Sequence, residues 1–231
     1  MISELRFARA YNSLWRSLAP TMELFVRKSN LRLSKRNWVE LPSESAPGAR
    51  SLVNQVAFRA LSDAAAAGDS FASKIHYIED RANIEAAEKA LTGQRFLSAV
   101  ALSESSELAK RMCSHLFRSR QDHIKLNPRF AGCGVINACF GDAISDIGHI
   151  IELKDGDRPF RAYEFRQISI YAALHLNSTG QLPPAIAVIN SRRGVSVELP
   201  IDTLASEVAG QSGYDYLREV IRVISDVTIS R

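Results

Sequence analysis

The chain has 231 residues, 46% of them hydrophobic and 23% charged, with a formal net charge of +4. That make-up is ordinary for a globular protein of one large domain, or of a smaller domain with an appendage. Three cysteines (Cys113, Cys133, Cys139) exclude a disulfide framework and fit a reducing cytosol. No apolar run is long enough to span a membrane. The N-terminus scatters Arg6, Arg9 and Arg16 where a signal peptide would have an apolar core, so the expected setting is cytoplasmic.

From Ile2 to about Val26, Leu5, Tyr11, Leu14, Trp15, Leu18 and Leu24 recur at helical spacing, with a break at Pro20. The next stretch carries Arg27, Lys28, Arg32, Lys35 and Arg36 with no acid among them. It reads as a short strand or an irregular basic arm. Such an arm is either a solvated surface or a contact for a phosphate backbone through Arg32, Lys35 and Arg36, with Trp38 placed for stacking. Pro42 to Arg50 has linker composition. Helical patterns follow over Ser51–Ala67 and Ser70–Leu91, closed by Gly68 and Gly93, and a third runs from Gln94 to Arg118. On that third pattern Leu97, Ala101, Glu104, Leu108, Met112 and His115 lie near one face.

The segment from His123 to Phe140 holds short apolar pieces split by Pro128, Gly132 and Gly134, the first strand of a sheet and the approach to the second. Phe140 to Lys154 then reads as a hairpin. Strands over Phe140–Ile144 and His149–Lys154 flank Ser145-Asp146-Ile147-Gly148, which suits a type I turn with Gly148 left-handed. That loop puts Ile144 opposite Ile150 and Asp142 opposite Glu152, so Asp142, Glu152 and Lys154 project from one face. Asp146, inside the turn, suits an Asx-type hydrogen bond. A loop to Arg161, a helix over Ala162–Leu176, and strands over Ala185–Asn190 and Val195–Leu199 come next, the strands joined through Ser191 to Gly194. Amphipathic helices near Ile201–Ala209 and Tyr214–Ser225 close a mixed α/β half behind a helical N-terminal part.

Asp142, Glu152 and Lys154 are the constellation that carries chemistry. Adjacent carboxylates repel unless a cation lies between them, and hard oxygens suit magnesium or manganese. Such an ion activates water and offsets charge on a phosphate, while Lys154 orients the water or stabilises that charge. No Gly-rich phosphate loop followed by Lys-Ser/Thr is present, so ATP hydrolysis is not expected. E-x-K alone recurs by chance, and its bland reading is an exposed ion pair. The apolar run HIIELK instead suits an interior strand ending at a cleft. Gln167 and Tyr171, spaced i and i+4, share a helix face.

Taken together, GDAISD, IIELK and RQISIY resemble the PD-(D/E)xK nuclease superfamily, particularly its RecB-like branch. The similarity covers roughly Gln94 to Leu199. It implies a restriction-endonuclease-like mixed sheet flanked by helices in residues 94–231, with residues 1–93 as a helical N-terminal domain. It implies a metal-dependent nuclease hydrolysing phosphodiester bonds, with Mg2+ or Mn2+ as cofactor and nucleic acid as partner, DNA ahead of RNA. DNA endonuclease activity in host defence or DNA processing follows from the family's habits. By position, Asp142, Glu152 and the Leu153 backbone carbonyl resemble metal ligands, and Lys154 the catalytic lysine. Gln167 and Tyr171 resemble the helix pair beside the active site.

The sequence departs from the family's pattern in places. Phe140-Gly141 stands where a proline often precedes the acid, and Arg111 replaces the glycine four positions before His115. Glu104 or His115 is a candidate further metal ligand, against the bland reading of a surface acid and a satisfied helix histidine. Arg158, Arg161 and Arg166 flank the expected site, either as phosphate contacts or as solvated charge. The alternative function is a non-catalytic nuclease-fold subunit that binds nucleic acid or a protein partner. Cutting both strands needs two sites, which raises a homodimer or a larger complex as an expectation.

Overall fold

The computed structural model describes residues 1–117 and 123–227. Three short helices open the chain: α1 (Glu4–Ala10), α2 (Asn12–Leu18) and α3 (Met22–Lys28). The sequence suggests one break, at Pro20. A second falls at Tyr11, whose backbone leaves helical values (φ −91°, ψ 52°) and whose ring stacks on Phe7 at 4.6 Å. A π-helical turn, Ser29–Leu33, leads into strand β1 (Lys35–Arg36).

Helix α4 (Arg50–Ala67) forms as expected. The single helix expected over Ser70–Leu91 is instead α5 (Phe71–Glu79) and α6 (Arg81–Thr92). Asp80 divides them. Its backbone is extended and its carboxylate accepts the Ala82 N–H at 2.9 Å, so a residue expected inside a helix caps one. Helix α7 (Ala99–Phe117) starts later than Gln94. The Phe96 and Leu97 N–H groups both donate to the buried Glu88 carboxylate at 2.6 Å, and the Ser98 hydroxyl accepts the Ala101 N–H. The expected end at Arg118 lies outside the described residues.

Then come β2 (Ile124–Leu126), β3 (Arg129–Phe130), β4 (Cys139–Phe140), β5 (Ala143–Ser145) and β6 (Ile150–Lys154). Helix α8 (Ala162–Thr179), β7 (Ala185–Asn190), β8 (Val195–Pro200), α9 (Ile201–Ala209) and α10 (Gly213–Asp226) complete the fold. The main sheet has six strands in the order β1-β8-β7-β6-β5-β2, and β3 and β4 pair separately. Among the described residues of this sheet, β6 and β7 are the parallel pair, joined by the α8 crossover, and the other pairs are antiparallel. The architecture is therefore a mixed α/β sheet flanked by helices.

Period-two alternation gives each central strand two apolar faces. Ile150, Ile186, Val188 and Val197 face a core shared with α8, α9, α10 and the three opening helices. Ala143, Ile151, Ala187 and Ile189 face a second core built with α4 to α7. Residues 1–93 accordingly contribute to both layers: α1–α3 to one, α4–α6 to the other, and β1 to the sheet edge beside β8. No described helix is long and apolar enough to cross a membrane.

Candidate active site

The turn between β5 and β6 sets the site's register. Gly148 has φ +85° and donates its N–H to the Ser145 carbonyl at 2.9 Å, which closes the loop. Ile144 then pairs with Ile150 and Ala143 with Ile151, the expected register. The preceding segment is not one continuous strand. β4 pairs with β3, while β5 joins the main sheet, and the chain changes sheets at Gly141 and Asp142. Gly141 permits the crossing, since a Cβ there would meet the Phe130 ring at 2.7 Å. Asp142 therefore sits at a fork. Its carbonyl accepts the Asn127 N–H, and its carboxylate accepts the Leu153 N–H at 2.7 Å.

Across the fork, Glu152 and Lys154 share the strand face of Ile150, towards α8. Glu152 is buried and forms an ion pair with Lys154. Lys154 Nζ also donates to Gln167 Oε1 at 3.1 Å, and Gln167 Nε2 donates to the Tyr171 hydroxyl at 3.0 Å. The Tyr171 hydroxyl reaches Glu4 Oε1 and the Phe140 carbonyl, each at 3.3 Å, while its ring stacks on Phe130. Asp142, Glu152, Lys154, Gln167 and Tyr171 thus lie together between β6 and α8.

The electrostatics are unbalanced. Burial, then the neighbouring Asp142 carboxylate, pushes Glu152 up to about 8 despite Lys154. Burial also raises Asp142, against the opposing pull of Lys154 and the Leu153 N–H. Lys154 stays a cation: burial lowers its pKa, but Glu152 and Asp142 outweigh that and raise it. Two carboxylates thus share one ammonium, and Glu152 Oε2 is buried with no hydrogen-bond partner. An orphaned carboxylate oxygen beside a second carboxylate is a donor set that fits a hard divalent cation.

The other candidate ligands are placed differently. Glu104 is held by Arg192 at 2.6 Å and accepts the Ser45 and Glu44 N–H groups at 3.1 and 3.2 Å. It closes a structural ion pair. His115 lies edge-on to Trp38, with ring centroids 6.1 Å apart, which also ties the expected stacking residue to α7. Among the described residues no cluster of three or more His, Cys, Asp or Glu side chains could hold a metal ion.

Nor do the arginines form one group. Arg166 is buried, bonded to Asn12 Oδ1 at 2.7 Å and to Glu23 at 3.2 Å, so it fastens the opening helices to α8. Arg158 donates to Glu164 at 2.9 Å and to the Tyr163 hydroxyl. Arg161 is exposed at the start of α8. Arg32, Lys35 and Arg36 are all exposed on or beside the edge strand β1.

Two acids escaped the sequence reading. Glu4 reaches Tyr171 from α1, and nothing in its local pattern distinguishes it from an ordinary first-turn acid. Asp155, raised by burial, adds its charge next to Lys154; its position directly after E-L-K was the available signal. No family model matches the chain, and no curated protein matches it in sequence.

Proposed function

We propose that this protein is a metal-dependent nuclease with a restriction-endonuclease-like core, cutting DNA internally. The observation that carries the reading is the Asp142–Glu152 pair, with Glu152 buried and one of its oxygens unpartnered, set beside a lysine that a glutamine and a tyrosine hold in place. The order of elements supports it as well: an antiparallel β2-β5-β6 meander, then α8, then β7 parallel to β6.

Asp142 and Glu152 would hold Mg2+ or Mn2+, with the Leu153 carbonyl as a third oxygen by the family resemblance. The ion would supply a Lewis acid that lowers the pKa of water and offsets phosphate charge. The chain's own groups do the rest. The Leu153 N–H orients the Asp142 carboxylate through one oxygen, and the other would be offered to the cation. Lys154 presents a charged donor to the negative charge that develops on the phosphate. Gln167 holds that ammonium through its carbonyl, and the Tyr171 hydroxyl fixes which way the Gln167 amide faces.

Plasmid cleavage with magnesium or manganese tests the proposal. Lys154→Ala should retain the fold and the metal but lose about two to three orders of magnitude in rate, the scale of a removed transition-state donor. Equal rates for wild type and Lys154→Ala would assign the activity elsewhere. Absence of cleavage by wild type with either ion would remove the catalytic reading.

A further inference from the structure

A cleft of about 700 Å³ opens on the α4 side of the fork, and Asp142 lies in its wall. It adjoins the proposed catalytic pair, yet α4 belongs to the part of the chain outside the stretch that resembles the nuclease superfamily. Asn54, Gln55 and Phe58 line it from one stripe of α4, at helical spacing. Met112 of α7 and Asn127 also line it. Asn127 is held in the left-handed region (φ +49°), its N–H on the Asp142 carbonyl at 3.0 Å.

The lining has the wrong charge for a phosphate. The cation in its wall, Arg59, is bonded to Asp63 through both carboxylate oxygens at 2.9 and 3.0 Å, and Asp142 and Asp155 add further negative charge. Asn54 Oδ1 accepts from Arg192 at 3.5 Å and Gln55 Nε2 donates to the Ser51 hydroxyl at 3.1 Å, which leaves the Asn54 amino group as a donor and the Gln55 carbonyl as an acceptor, and a half-buried Phe58 offers an aromatic surface. That is the chemistry that reads a base edge and stacks on a base face. The volume is that of a small-molecule pocket, not of a surface that seats a double helix.

Resting on the nuclease reading for its class of ligand, the geometry points to a nucleobase pocket: we propose that Phe58, Asn54, Gln55 and Asn127 take an unpaired base from the strand whose phosphate lies at Asp142. Bases inside a duplex are paired and stacked, so the preferred substrate is a single strand or a duplex bearing an unpaired nucleotide.

Fluorescence anisotropy in EDTA, where hydrolysis is blocked, tests this without activity. The probes are a labelled oligothymidylate, its duplex with oligoadenylate, and the same strand carrying abasic nucleotides. The single strand should bind at least about tenfold more tightly than the duplex. Loss of base stacking should weaken it by about 5- to 150-fold, whether through the abasic probe or through Phe58→Leu, which keeps apolar bulk. The two losses should not add. The abasic probe is read on wild-type protein, so a folding defect in the variant cannot mimic the result. Equal binding of duplex and single strand, or of abasic and intact strand, would overturn the pocket. Binding of no probe would overturn it too. The nuclease reading is judged separately, by cation-dependent plasmid cleavage and its loss in Lys154→Ala.

Discussion

Two buried glutamates in this protein meet opposite fates. Glu104 has a full complement: an arginine, two backbone N–H groups and a serine hydroxyl. Burial pushes its pKa up, but the Arg192 guanidinium and Ser45 outweigh that, and the net shift is downward. Glu152 has a lysine on one oxygen, nothing on the other, and a second carboxylate alongside. Burial, then the Asp142 carboxylate, moves its pKa upward against the pull of Lys154. The contrast separates structure from function. A satisfied buried carboxylate ties elements together, here α7 to the β7–β8 turn. An under-neutralised one is costly to fold, and on the reading proposed above it awaits a cation.

The largest expected effect falls on the satisfied pair. Arg192→Ala leaves Glu104 buried without its cation and also frees the Asp155 carbonyl that Arg192 Nε holds at 2.8 Å. Destabilisation of about 3–5 kcal/mol is expected from chemical denaturation. A loss below about 1 kcal/mol would mean that Glu104 reaches water, and the contrast with Glu152 would fail.

A smaller effect, opposite in sign, is expected at the fork. A carboxyl raised in the folded state binds its proton more tightly there than in the unfolded chain. Its stabilising contribution is therefore complete below the ordinary value near 4.5 and is lost as pH rises through about 8. Metal-free wild type should lose thermal stability across that window. Glu152→Gln, which cannot ionise, should flatten the slope and leave the metal-free protein more stable at pH 8. Parallel pH profiles for the two proteins would show that Glu152 titrates normally.

The smallest effect on stability is expected at the arm, which inverts both regions: Arg32, Lys35 and Arg36 are exposed cations with no acid between them. Replacing all three with alanine should change folding stability by no more than about 0.5 kcal/mol. The salt dependence of DNA binding should flatten, by about 0.9 in slope for each phosphate that the arm no longer neutralises. An unchanged slope would assign the arm to solvation or to a protein partner.

How much of this is legible in the sequence depends on how far apart the partners lie. Asp142 and Glu152 are brought together by one turn, so Gly148 and strand alternation suffice to place them. Gln167 and Tyr171 are one helical turn apart, and their shared face follows from spacing. Glu104 and Arg192 are joined only through the complete fold, and so are Arg166 and the opening helices. Nothing local says that those arginines are buried, which is why Arg166 reads as a surface cation and Glu104 as a spare ligand. The break at Asp80 is local, but an aspartate between two helical patterns fits a helix surface as well as a cap. The change of sheet at Asp142 needs the ring of Phe130 to be seen against Gly141.

Isothermal calorimetry with Mn2+ on three proteins tests the central claim most directly. Wild type should bind the ion and release protons as it does so, because the carboxyl pair gives up the proton that burial makes it keep. Glu152→Ala should not bind detectably. Glu104→Gln, which leaves Asp142 and Glu152 untouched, should bind as wild type does. Binding that survives in Glu152→Ala, or that disappears in Glu104→Gln alone, would contradict the division between the structural glutamate and the functional one.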